Sequence, residues 1–186
     1  MIHDIKQTIF GVPIWGVILN EEKSYLQNYI DTILQCRQSE PSSKKSNFGG
    51  YQTHEDLFQN LIFKNLVSYI EQISNQIISN QTSVNFSVEI KELWGNINTY
   101  RDFNAAHTHS GILSGVFYLQ VPKNSGRLIL RDPAVRSEGK FITNSDYPIY
   151  PEPAACILFP SWLEHYVEPN LSNDERISLS FNIDKK

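Results

Sequence analysis

Apolar positions recur at helical spacing through much of the first part of the chain, then give way near residue 82 to short alternating runs. Ile9 to Leu19 is a β-rich apolar segment interrupted by Pro13. From Glu21 to Arg37, Leu26, Tyr29, Ile30, Ile33 and Leu34 share one face of a predicted helix, and Asn20 can cap its start. Gln38 to Gly50 is polar and reads as a loop. Beyond it, Leu57, Leu61, Leu66, Tyr69, Ile70, Ile73 and Ile77 form the apolar stripe of a second predicted helix. Both stripes are expected to pack on a sheet. From Val84 onward, Pro, Gly and Asn punctuate strands expected around 84–92, 94–101, 112–121, 126–131, 155–159, 164–168 and 175–183. Many short strands spaced this way predict a sandwich or barrel, not a parallel α/β sheet. The expected class is mainly β with N-terminal helices (α+β). Residues 1–186 would form one domain, with a helical and β elaboration at 1–82 buttressing a jelly-roll core at 83–186.

Composition changes this picture little. With 186 residues, 40% hydrophobic and 19% charged, the chain suits a single folded domain and is far from the disordered class. A formal net charge of -4 supplies no general attraction for phosphates, so nucleic acid is a disfavoured partner. No apolar run reaches membrane-spanning length, and Met1 to Gly11 shows no basic segment ahead of an apolar stretch. Cys36 and Cys156 are the only cysteines and are expected as reduced thiols in a cytoplasmic setting. Asn80, Asn85 and Asn170 begin glycosylation-type triplets that, without secretion, are chance matches.

Candidate chemistry is concentrated in the histidines. Of His3, His54, His107, His109 and His165, three fall in the β half. In His107-Thr108-His109 the imidazoles are two residues apart, a spacing that on an extended strand sends both to one face. Neutral ring nitrogens suit Fe, Zn, Cu and Ni, and His165, after the turn Pro160-Ser-Trp-Leu-Glu, could close such a site from a distant strand. An HxH pair alone is as readily a satisfied core or surface pair. Arg176 adds weight. On the strand Glu175 to Asn182, Arg176, Ser178 and Ser180 share one face and Ile177, Leu179 and Phe181 the other. An Arg turned into a small barrel is costly unless paired, and a bound carboxylate gripped by the guanidinium and the Ser178 hydroxyl would pair it. His3 and His54 read as solvated, Glu152 and Glu164 as surface, and Trp94 and Trp162 as core or pocket wall.

These residues resemble the signature of the Fe(II)/2-oxoglutarate oxygenases, a His-x-acid pair and a distal His followed by Arg-x-Ser. The chain is most similar to a subgroup found in bacteria and their phages. Similar segments are Trp94-Gly-Asn-Ile97, His107-Thr-His109, Leu113-Ser-Gly-Val-Phe-Tyr-Leu119, Asn124-Ser-Gly126, Phe159-Pro-Ser-Trp-Leu-Glu-His165 and Arg176-Ile-Ser-Leu-Ser-Phe-Asn182. Phe10 to Trp15 and Asn47 to Gly50 extend the likeness to nearly the whole chain. The resemblance implies a prolyl-hydroxylase-like double-stranded β-helix with Fe(II) and the cosubstrate 2-oxoglutarate. His107 and His165 match iron ligands, Arg176 and Ser178 match the pair that binds the far carboxylate, and Tyr118 matches a tyrosine that adds a hydrogen bond to it. For Tyr118, plain strand packing is an equal alternative. The family places an acid where this chain has His109. Either His109 completes a three-histidine site, or it points away and two protein ligands remain, or the motif shifts so that Gly111 stands at the acid position. The expected metal set is His107, His109 and His165.

The implied activity is a dioxygenase, hydroxylating in the usual case, that oxidatively decarboxylates 2-oxoglutarate to succinate while oxidising a small molecule or a protein side chain. Two other readings stay open. A cupin-type metalloenzyme without 2-oxoglutarate would share the HxH…His pattern, yet Ser114 stands where its Glu belongs and Arg176 would be unexplained. A non-catalytic jelly-roll binding module would have lost its metal together with the acid. A homodimer is the statistical default for oligomeric state.

Overall fold

The computed structural model describes residues 5–9, 11–19, 23–81, 86–133 and 146–186. Its elements are β1 (Ile5–Ile9), β2 (Val12–Ile18), α1 (Lys23–Ser39), β3 (Asn47–Phe48), β4 (Tyr51–Gln52), α2 (Lys64–Gln81), β5 (Val88–Asn98), β6 (Phe103–His107), β7 (Leu113–Gln120), β8 (Leu128–Arg131), β9 (Asp146–Ile149), β10 (Ala155–Pro160), β11 (His165–Val167) and β12 (Arg176–Lys185). They build two antiparallel sheets, one of seven strands in the order β1-β2-β10-β7-β12-β5-β4 and one of five in the order β3-β6-β11-β8-β9. The order crosses between distant parts of the chain, as in a jelly-roll. Strands β1 to β4, from the first 82 residues, join both sheets, so the N-terminal segment completes the sandwich besides supplying helices.

The period-2 pattern of β12 accounts for the layering. Ile177, Leu179, Phe181 and Ile183 are each no more than 1% exposed and share an apolar core with Ile33 of α1 and Leu66 and Ile70 of α2. Each such burial contributes about 1.5–3 kcal/mol, which fixes the register because a one-residue slip would turn this set over. Gly95 lets α1 lie close to the sheet, since a Cβ there would stand 2.7 Å from Ile33. The opposite face of β12 looks into the sandwich, whose interior is apolar at one end (Val116, Leu128, Leu130, Phe159, Leu163) and polar at the other.

Several expectations need correction. The second helix begins at Lys64; Leu57 and Leu61 lie in two short 3-10 turns before it, and Leu61 is 83% exposed. Trp162 is 55% exposed and is not part of the core. The two strands expected over 84–101 are one, β5, whose pairing with β12 absorbs a register shift at Asn182/Ile183. Strand β9, which pairs with β8, has no counterpart in the expected set. Met1, His3, Phe10, the Asn20 cap and Val84 lie outside the described residues.

Candidate metal centre

His107 is the last residue of β6, His165 is the first of β11, and the two stand directly opposite each other in the antiparallel ladder. Cross-strand neighbours of this kind have side chains in contact, and their ring centroids are 4.4 Å apart. His109 reaches the same point from the loop beyond β6, anchored where its backbone N–H donates to the Ser161 carbonyl at 2.9 Å. His109 stands two residues past the end of β6, outside any strand, so the two imidazoles of the HxH pair are not both carried by one strand. His109 lies 4.7 Å from His107 and 5.1 Å from His165, centroid to centroid. One nitrogen from each ring falls within 4.8 Å of the others, a cluster that could hold a metal ion.

Two of these rings are oriented by backbone carbonyls. His107 Nδ1 lies 2.7 Å from the Ala105 carbonyl, and His165 Nδ1 lies 2.8 Å from that of Leu163. A carbonyl only accepts, so each Nδ1 carries the proton and each Nε2 keeps its lone pair, as a metal ligand requires. Burial depresses all three basicities: His165 to about 3, and His109 to about 4, in both cases with His107 adding to the effect. His107 is also lowered, against the opposing pull of the Ala105 carbonyl. All three are therefore neutral at neutral pH, and metal uptake needs no proton release from them.

Arg176 lies in the same cavity, together with Tyr118, Ser178 and the three histidines. It is 2% exposed and donates to the Ser125 carbonyl at 2.8 Å and to Asn98 Oδ1 at 2.9 Å. Its Nε is buried with no hydrogen-bond partner, and no carboxylate among the described residues lines the cavity or pairs with it. Strand pairing sets Ser178 directly opposite Tyr118. Burial pushes Tyr118 up to about 12, so its hydroxyl keeps its proton and can donate. Trp94 and Phe159 wall the histidines, with ring centroids 5.7 Å from His109 and 4.7 Å from His165. A cavity holding three neutral imidazoles, an unpaired guanidinium and no acid suits a metal cation together with an anionic ligand. His54 is exposed, and Glu164 forms a surface ion pair with Arg131.

Sequence reasoning brought together all six candidate residues but missed the amides. Asn96 and Asn98 are buried on the inward face of β5, and Asn182 lies beside His109. Their period-2 spacing in Trp94-Gly-Asn-Ile-Asn98, opposite Ser178 and Arg176, was the available signal. Glu92 continues the same alternation and stands opposite Asn182 in the β5–β12 ladder; Ser46 gave no signal, because tertiary packing alone brings it to His107.

Antiparallel sheets closed into a sandwich, with a histidine cluster inside, form a double-stranded β-helix with a candidate metal centre. Residues 92–182, which contain every candidate site residue, match the family model described as "Putative 2OG-Fe(II) oxygenase", and over them the chain is similar to the 2-oxoglutarate-dependent Fe(II) oxygenases, which are oxidoreductases. The fold is similar to that of a Pseudomonas putida prolyl-4-hydroxylase, with TM-score 0.65 and 15% identity over 98% of this chain and 92% of that one. It is also similar to the α-ketoglutarate-dependent epimerase SnoN of nogalamycin biosynthesis, with TM-score 0.72 and 12% identity over 91% and 76% of the two chains. HygX of Streptomyces hygroscopicus, solved with nickel and 2-oxoglutarate, matches with TM-score 0.63 and 10% identity over 92% and 82%. No curated protein matches the sequence.

Proposed function

We propose that the chain is a hydroxylase-type 2-oxoglutarate/Fe(II) dioxygenase acting on a small molecule or a protein side chain. The observation that carries this reading is Arg176, a buried guanidinium with an unpaired Nε, in one cavity with the histidine cluster. His107 and His165 would hold the iron through Nε2, and His109 stands within reach of both. Arg176, with the hydroxyls of Ser178 and Tyr118, would take the far carboxylate of 2-oxoglutarate in a charge-assisted, forked contact. Iron and 2-oxoglutarate, when bound, supply the oxidative decarboxylation that yields succinate and oxidises the substrate.

The protein's own part is to position and to dry the site. The carbonyls of Ala105 and Leu163 hold two imidazoles in the ligating tautomer, and Phe159 and Trp94 keep bulk water from the inner side. The substrate would enter from a depression on the outer side of His107 and His109, bordered by Phe48, Glu92 and Trp94. Phe48 is 56% exposed there and stacks on Phe103 at 4.9 Å. The test is 2-oxoglutarate turnover measured as succinate. His165→Ala is expected to abolish it, and Arg176→Ala to raise the apparent KM sharply. Unchanged turnover in both variants overturns the proposal.

A further inference from the structure

His109 differs from the other two histidines in what covers its lone pair. Asn182 Nδ2 lies 3.4 Å from His109 Nδ1 and 2.5 Å from Glu92 Oε2, while Asn182 Oδ1 accepts from the Ser114 hydroxyl at 2.7 Å. A carboxylate only accepts, so the group facing Glu92 must be the amide nitrogen, and turning the amide over would set Oδ1 against that carboxylate. Ser114 reinforces this orientation and lies 2.9 Å from Ser161, whose carbonyl anchors the His109 backbone. With the amide held this way, its second hydrogen points at His109 Nδ1, which must accept. A neutral imidazole that accepts at Nδ1 carries its proton at Nε2. Neither nitrogen then offers a free lone pair to a metal. His107 differs in kind: Ser46 Oγ stands 3.4 Å from its Nε2, but a hydroxyl can rotate its proton away, which a doubly bonded amide cannot do.

Resting on the metal-centre reading above, we propose that Asn182, oriented by Glu92 and Ser114, holds His109 as an N–H donor, so that the metal is ligated by His107 and His165 alone. Asn182 and Glu92 are positioning residues, since they act on the centre through His109. The carboxylate that the family carries at the His109 position is thereby replaced by a hydrogen-bond donor, not by a third nitrogen ligand. One more coordination position is left to ligands from solution, with the His109 N–H beside it to favour an anionic one.

Glu92→Gln separates this account from a merely structural network. A Gln carboxamide can donate to Asn182 Oδ1, so the amide is free to turn over and accept from His109 Nδ1–H, which bares Nε2. Two readouts are independent of activity: Co(II) affinity by calorimetry, and the number of coordinated imidazoles from pulsed EPR of the Cu(II)-loaded protein. The wild type is expected to show two imidazoles. His109→Leu should change the Co(II) Kd by less than about threefold, and His107→Ala should weaken it more than about 100-fold. Glu92→Gln should raise the imidazole count to three and tighten Co(II) about tenfold, and adding His109→Leu should reverse both. Three imidazoles in the wild type, which needs no variant, or a loss in His109→Leu as large as in His107→Ala, would overturn the proposal. A wild type that binds no Co(II) would instead refute the metal-centre reading, and this inference with it.

Discussion

Replacing Arg176 by Met separates a ligand-binding arginine from a structural one. The guanidinium donates to the Ser125 carbonyl at 2.8 Å and to Asn98 Oδ1 at 2.9 Å, so its removal leaves two buried acceptors. Each unsatisfied acceptor costs about 1–3 kcal/mol. The same change removes a buried charge that has no acidic partner, whose desolvation costs several kcal/mol, and an apolar replacement of such a charge is often neutral or stabilising. The two effects roughly offset. In the absence of ligand, Tm is expected to move by only a few degrees, at about 2–4 °C per kcal/mol for a chain of this size. Binding behaves differently. Truncating one partner of a buried charge pair costs about 2–5 kcal/mol. That corresponds to roughly a 30- to 4,000-fold increase in the 2-oxoglutarate Kd at 1.4 kcal/mol per factor of ten. Arg176→Lys keeps the charge but loses the fork, and should fall between the two. The assay is calorimetric titration of 2-oxoglutarate into the Mn(II)-loaded protein without oxygen, beside thermal melts of the metal-free forms. A Met variant that binds 2-oxoglutarate within about threefold of the wild type would refute the reasoning. So would a ligand-free Tm lower by about 10 °C or more.

Other expectations follow from the same geometry. His165→Ala should weaken Co(II) binding by more than about 100-fold, beyond what losing one supporting hydrogen bond costs, and calorimetry measures it. The metal-free protein should lose stability in acid. The unfolded chain takes up protons as pH falls through 6.5, whereas folded His109 and His165 stay neutral down to about 4 and about 3. Their contribution is thus fully present above pH 6.5 and shrinks as pH falls, for His165 by up to about 1.4 kcal/mol per pH unit. Urea midpoints at pH 7, 6 and 5 would reveal it, and a flat profile would contradict it. Gly115→Ala should destabilise by about 1–3 kcal/mol or prevent folding, as over-packing does. Its Cβ would lie 2.3 Å from Phe181 Cζ and 2.6 Å from the Ile157 carbonyl, and thermal melts would read the effect.

The parts of this architecture legible in the sequence were those with a period. Alternation in Arg176 to Ile183 separated the helix-packed face from the cavity face, and the apolar spacing of Leu26 to Leu34 marked α1 to within two residues at each end. The double-stranded β-helix and the six candidate residues came from resemblance combined with that alternation. Elements without a period were hidden. Strands β3 and β4 are two residues each and form only because β6 and β5 offer edges to pair with. Leu61 fits a helical stripe on paper, yet Asn60, whose side chain accepts from the Ile62 N–H, starts a separate 3-10 turn that throws it into solvent. At the site, the spacing of His107 and His109 signalled a metal for a reason the fold does not use, since a loop and not a strand carries His109. The contact of Asn182 with His109 and that of Glu92 with Asn182 each join separate segments of the chain, so no local pattern could announce them.

The most direct test of the central claim is the visible spectrum of the Fe(II)-loaded protein, taken without oxygen, as 2-oxoglutarate is added. Chelation of the cosubstrate by iron held on His107 and His165 predicts a new charge-transfer band that saturates at one equivalent. It should be absent from His165→Ala and should need far more 2-oxoglutarate in Arg176→Met. A protein that retains stoichiometric iron yet shows no spectral change at any 2-oxoglutarate concentration would contradict the account.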